Sequence, residues 1–144
     1  MEDLTLSFVS VRLRKICSKR VLRLVATLSN STIAEADVQK LETWLTQFYR
    51  HVDATNTPFC VVYVFDTTID NAEVVRRLCT VLGSERDITR RLSVTTCVVA
   101  PSLLAFVAQM ALSAYAAKGV VHFADTLDDA KETCLNEANT MYKK

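Results

Sequence analysis

Glycine and proline are nearly missing from this chain: two of each occur in 144 residues. With Gly83 and Gly119 alone, neither a G-x-G-x-x-G nucleotide turn nor a P-loop can be written. Histidine is as scarce. His51 and His122 are the only two, which excludes most histidine-based metal sites and the usual catalytic triads. Neither sign of charge dominates, since 17 Lys and Arg stand against 16 Asp and Glu for a formal net charge of +1. That balance argues against a dedicated, strongly basic nucleic-acid binder. A hydrophobic content of 50% argues equally against a disordered chain. No low-complexity segment, linker or internal repeat is visible.

What is present fits one domain of ordinary size. At this length a chain buries roughly 70% of its extended surface and needs no disulfide or metal to hold a core. The five cysteines are Cys17, Cys60, Cys79, Cys97 and Cys134, an odd number with no C-x-x-C pair. That spacing weighs against zinc and against a thioredoxin-type motif. Three of them interrupt apolar runs (FCVVYVF, RRLCTVL and TTCVVAP), where cysteine behaves as a small hydrophobe. A reducing compartment, and with it a cytoplasmic location, is the expectation. The opening MEDLTLSF is acidic and poor in apolar residues and does not read as a signal peptide. Val94 to Ala117 is uncharged and long enough to test as a membrane span. Thr95, Thr96, Pro101, Ser102, Gln109 and Ser113 dilute it, and Pro101-Ser102 reads as a junction. The expected structure there is a buried strand followed by a buried helix, not a span.

Periodicity gives the element order. Residues 8–14 alternate, with Val9, Val11 and Leu13 on one face and Ser10, Arg12 and Arg14 on the other. Residues 21–28 alternate again through Leu22, Leu24, Ala26 and Leu28. The short polar link between them predicts an antiparallel hairpin. Thr32-x-x-Glu35 has the form of a capping box, and Ala34, Val38, Leu41, Leu45, Phe48 and Val52 then keep helical spacing, widened by Trp44 and Tyr49. FCVVYVF, 59–65, is a continuous apolar run, as an inner strand covered on both faces requires. Asp70 is a candidate N-cap for a helix through Val74, Val75, Leu78, Val81 and Leu82, ended by Gly83. SERDITRRL, 84–92, reads as a charged connector with room for one further helical turn. Residues 93–99 form a second inner strand, 102–117 an apolar helix and 120–124 a short strand. A closing helix follows, capped by Thr126-x-x-Asp129. The order β-β-α-β-α-β-α-β-α predicts an α/β fold, a hairpin followed by a mostly parallel sheet.

This order resembles the STAS family, the fold of bacterial anti-sigma-factor antagonists and of sulfate-transporter tails. The hairpin FVSVRLR…VLRLVATL, the strand CVVYVFD ending in an acid, TTCVV-APS-LLAFVAQMAL, and VVHFADTLDDAKETCL carry the resemblance. It covers almost the whole chain and is one of pattern. A more distant similarity is to Sec14-like lipid-binding domains. The family's regulatory turn is Asp-Ser-Ser-Gly at the start of the second helix. The matching segment here is Ile69-Asp70-Asn71-Ala72-Glu73, where Asp70 keeps the acid and Asn71, Ala72 and Glu73 replace the other three residues. The resemblance implies a regulatory or ligand turn at Asp66, Thr67, Thr68, Asp70 and Asn71. It also implies a non-enzymatic protein-interaction module without a cofactor. The Sec14-like similarity implies the alternative, a carrier or sensor of a small lipid or anionic ligand.

Two further constellations stand out. Arg12, Arg14, Lys15, Lys19, Arg20 and Arg23 are six cations within twelve residues, with no acid between them. They read either as a patch for weak contact with anionic lipid or nucleic acid or as edge protection. No aromatic residue lies between them for base stacking. The helix 102–117 is apolar nearly all round, which leaves a face for neighbouring helices or for a partner chain. Phe106, Met110 and Tyr115 would lie at that interface in a complex or a homodimer. His51 and His122 read as structural. The acids Asp125, Asp128 and Asp129 are accounted for by the dipole of the helix they open. No nucleophile–base pair is visible, so an enzyme is not expected.

Overall fold

The computed structural model of the chain describes residues 1–29, 33–65, 72–99 and 121–142, with the backbone alone at 72–75. The strands are β1 (Leu4–Thr5), β2 (Val9–Ile16), β3 (Val21–Leu28), β4 (Phe59–Phe65), β5 (Ser93–Val99) and β6 (Val121–Ala124). The helices are α1 (Glu35–Thr55), α2 (Ala72–Ser84), α3 (Arg86–Leu92) and α4 (Leu127–Tyr142). The six strands form one sheet in sequential order, β1-β2-β3-β4-β5-β6. β2 runs antiparallel to both of its neighbours, β1 and β3, and β3 through β6 run parallel. The fold is the expected α/β arrangement of a hairpin followed by a parallel sheet. β5 occupies Ser93–Val99, so the uncharged stretch from Val94 begins as a sheet strand and not as a membrane helix. Among the described residues, no helix is long and apolar enough to cross a membrane.

The alternation of β3 and β4 divides the interior in two. On one face Leu22, Leu24, Ala26, Leu28, Phe59 and Val61 pack with Val38, Leu41, Trp44, Phe48, Tyr49 and Val52 of α1 and with Ile88 and Leu92 of α3. Burying each large side chain of this set stabilises the fold by about 1.5–3 kcal/mol. Phe48 stacks on Trp44 at 5.7 Å and meets Phe59 edge-on at 5.3 Å, which fixes the position of α1 over β4. On the other face Val21, Val25, Cys60, Val62, Val64 and Cys97 pack against Ala130, Cys134 and Ala138 of α4. The small residues on α4 let the helix approach the sheet closely.

Ion pairs hold α1 to the helices beside it. Arg77 of α2 binds Glu35 at 2.6 Å and also Glu42, Arg50 of α1 binds the buried Glu85, and Arg91 of α3 binds Asp53. The start of α1 departs from the expected capping box. α1 begins at Glu35 with Ala34 as its N-cap and no side-chain cap, and the Glu35 carboxylate faces Arg77 instead of its own helix end. Thr32 lies outside the described residues.

Three other expectations are corrected. Gly83 does not end α2, which continues through Ser84 before the chain turns at Glu85. The connector 84–92 contains a two-turn helix, because Ile88 and Leu92 supply a buried face that its charges obscure. An inner strand covered on both faces predicts buried valines throughout; Val62, Val64 and Val98 are buried, but Val99, near the carboxyl end of β5, is only half-buried. The cap at Thr126 is present: its Oγ1 accepts from the Asp129 amide at 3.1 Å.

All five cysteines are free thiols, and Cys60, Cys97 and Cys134 are wholly buried between β4, β5 and α4. The hydrogen bond with Cys60, with burial adding to it, pushes the Cys134 thiol up to about 12. Contact with Cys134 and burial raise Cys97 as well. Buried thiols of this kind are inert because the thiolate is the reactive species. In native protein a colorimetric disulfide reagent should therefore titrate Cys17 first and the half-buried Cys79 more slowly. Cys60, Cys97 and Cys134 should react only after denaturant is added. Fast native reaction at Cys97 or Cys134 would contradict the packing of α4.

Candidate anion-binding edge

The turn joining β2 to β3 is built from four residues, Cys17 to Arg20, and three of them are left-handed. Cys17, Ser18 and Lys19 have φ of 52°, 55° and 68°. Left-handed backbone costs a non-glycine residue roughly 1–2 kcal/mol, so contacts elsewhere must hold this turn. The Arg20 amide donates to the Cys17 carbonyl at 3.2 Å. Cys17 Sγ donates to Asn139 Oδ1 of α4 at 3.0 Å. The Arg20 guanidinium lies 4.8 Å from the centre of the Tyr142 ring. The tip of the hairpin is thus fastened to the last turn of α4.

The hairpin register sorts the six cations. Arg12 stands opposite Val25, Arg14 opposite Arg23, and Lys15 opposite Leu22. Arg12, Arg14 and Arg23 therefore share the sheet face on which α4 packs, whereas Lys15 lies on the α1 face. Lys19 and Arg20 are in the turn. Like charges directly opposite each other weaken a strand pair, and the Arg14–Arg23 pair is such a case. Arg23 is half-buried, and its Nε is buried with no hydrogen-bond partner among the described residues.

An acid missing from the local sequence is supplied from ten residues upstream. Asp3 Oδ1 accepts from the Leu13 backbone amide at 2.9 Å, and both carboxylate oxygens accept from the Arg14 guanidinium, at 3.1 and 3.0 Å. Arg12 Nε is 3.9 Å from the same carboxylate. Arg12 and Arg14 also turn toward the strand edge. Arg12 donates to the Leu4 and Val11 carbonyls at 3.3 Å, and Arg14 donates to the Leu13 carbonyl at 2.7 Å. Sequence reading missed Asp3, because nothing in the spacing links it to the hairpin. An acidic pair, Glu2-Asp3, just upstream of a basic alternating strand is the only signal it leaves.

No protein-family model matches the chain, and no curated protein matches it. The turn residues Asp66, Thr67, Thr68, Asp70 and Asn71 lie outside the described residues, as do Phe106, Met110 and Tyr115. β4 ends at Phe65 and α2 begins at Ala72, on either side of that turn. His51 is exposed on α1, and His122 is half-buried on β6. Asp125, Asp128 and Asp129 are exposed at the start of α4. Among the described residues no group of three His, Cys, Asp or Glu side chains is placed to hold a metal ion.

The Leu13 amide, and then the Arg14 guanidinium, hold the Asp3 carboxyl below the ordinary aspartate value of 3.8. A carboxyl lowered by folding contributes stability above its unfolded value, and that contribution is lost as pH falls through the lowered folded value. In a carboxyl-carbon NMR titration, Asp3 should titrate below 3.8. Arg14→Ser should raise its midpoint but leave it below 3.8, since the amide bond remains. A wild-type midpoint at or above 3.8 would contradict the Asp3–Leu13 bond.

Proposed function

We propose that this chain is a non-enzymatic protein-interaction module of STAS-like fold, acting in the cytoplasm, and that its basic hairpin binds an acidic protein partner. One observation carries the reading. The six cations of residues 12–23 are answered, among the described residues, by the single carboxylate of Asp3. Lys15 and Lys19 are exposed, and a positive patch of this kind attracts anions even on a chain of small net charge. The turn 66–71 and the helix 102–117 are the further surfaces that the family resemblance suggests, with a homodimer through Phe106, Met110 or Tyr115 as one arrangement.

A second reading, a carrier of a small anionic ligand, draws support from Arg23. An anion placed between Arg14 and Arg23 would satisfy the buried Nε and relieve the like-charge pair. Leaving a buried donor unmatched costs about 1–3 kcal/mol, so such an anion would bind with a measurable gain in stability.

Binding to poly-L-glutamate at low ionic strength tests the first reading. The wild-type protein should bind, and the complex should weaken steadily as salt is added, because exposed charges are screened over about 8 Å at physiological ionic strength. The quadruple substitution Arg12→Ser, Arg14→Ser, Lys15→Ser and Lys19→Ser should abolish binding without unfolding the protein. Failure of the wild type to bind would overturn the interaction reading of the hairpin. A rise in melting temperature with inorganic phosphate, absent in Arg23→Ser, would favour the carrier.

A further inference from the structure

Among the described residues, β2 has a strand neighbour on its outer side at only two positions, where Leu4 faces Val11 and Thr5 faces Ser10. The N-terminal segment then leaves the edge, and the Glu2 carbonyl accepts from Trp44 Nε1 at 3.0 Å over α1. From Arg12 to Ile16 no strand pairs with the outer side of β2 among the described residues. Backbone alternation fixes which groups point outward. Leu6 N–H donates to the Val9 carbonyl, Val11 faces β1, and Leu13 N–H reaches Asp3. The same parity puts the Lys15 backbone on the open edge.

Side chains occupy the places that a neighbouring strand would fill. The Asp3 carboxylate takes the Leu13 N–H, as a strand carbonyl would. The Arg14 guanidinium takes the Leu13 carbonyl, as a strand amide would. An exposed edge with free donors and acceptors is a template for adding a strand. We infer that the outer edge of β2, over Leu13–Ile16, is a docking site for an extended acidic peptide segment that adds to the sheet as a further strand. One of its carboxylates displaces Asp3 from Arg14. This rests on the interaction reading above and specifies how the hairpin takes its partner.

Charge selects the occupant. A second copy adding through the same edge would bring the basic segment of Arg12, Arg14 and Lys15 against its copy, and like charges facing each other across a strand pair are destabilising. An acidic strand instead places carboxylates beside Arg12 and Arg14 while its backbone pairs with the Leu13 and Lys15 groups. Lipid headgroups and nucleic-acid phosphates could meet the charge, but neither carries the alternating amide donors and acceptors that the edge presents. Asp3 competes with such a strand for Leu13 and Arg14, so removing its charge should open the site.

The probe is a fluorescein-labelled peptide of six residues alternating valine and glutamate, followed by fluorescence anisotropy with the full chain. It should bind wild type, and Asp3→Asn should bind it at least fivefold more tightly. The same peptide N-methylated at alternate backbone nitrogens keeps its charge but cannot pair with the edge, and it should bind at least tenfold more weakly. A valine–lysine peptide should not bind. Equal affinity for the methylated and unmethylated acidic peptides would overturn strand addition while leaving poly-L-glutamate binding, and the interaction reading, in place. Weaker binding by Asp3→Asn than by wild type would overturn the role given to Asp3. Stronger binding to phosphatidylserine vesicles or to a single-stranded oligonucleotide than to the acidic peptide would replace the peptide as occupant.

Discussion

β4 is covered on both faces, and that double burial determines where polar chemistry can sit in this molecule. Phe59 and Val61 face α1, while Cys60, Val62 and Val64 face α4. A strand in this position can carry no charge without leaving it desolvated and unpaired, at considerable cost. The layers on either side follow from it. α1 is anchored by aromatic contacts with Phe59, and α4 can approach only because Ala130, Cys134 and Ala138 are small. Charged groups are displaced to the helix surfaces, where arginine–carboxylate pairs join α1 to α2 and α3, and to the hairpin at the opposite margin of the sheet from β6.

The hairpin therefore carries two kinds of constraint. Its inner side is core, through Val9, Val11, Leu22 and Leu24. Its outer side must satisfy backbone groups that lack a strand neighbour, and it does so with Asp3, Arg12 and Arg14. Edge protection and partner selection are the same arrangement seen from two sides. The cations that discourage a second copy of the chain favour an acidic strand. The left-handed turn at Cys17–Lys19, tied to Asn139 and Tyr142, keeps the hairpin end in place while the edge itself stays open.

Most of the layering was legible from residue order. The alternation of FVSVRLR and VLRLVATL, the unbroken apolar run of FCVVYVF and the α1 stripe each have a periodicity long enough to be distinctive. What escaped has a physical reason in each case. β1 is two residues long, and no period can be read from Leu4–Thr5. α3 is short and bears arginines between Ile88 and Leu92, so its buried face is hidden by charge. At the start of α1, Glu35 meets Arg77, 42 residues away in sequence, a contact that no local pattern shows. Asp3 reaches Leu13 and Arg14 only because the chain folds back along β2. A turn with three consecutive left-handed residues would be expected to contain glycine, and none occurs there.

Backbone hydrogen exchange along β2 tests the acidic-strand edge most directly. With the valine–glutamate peptide bound, exchange should slow at the Lys15 amide, which gains a partner. The Leu13 amide, already held by Asp3, should stay protected, and Val121–Ala124 of β6 should be unchanged. Protection that appears at β6 and not at Lys15, or no change at Lys15 under saturating peptide, would contradict the account.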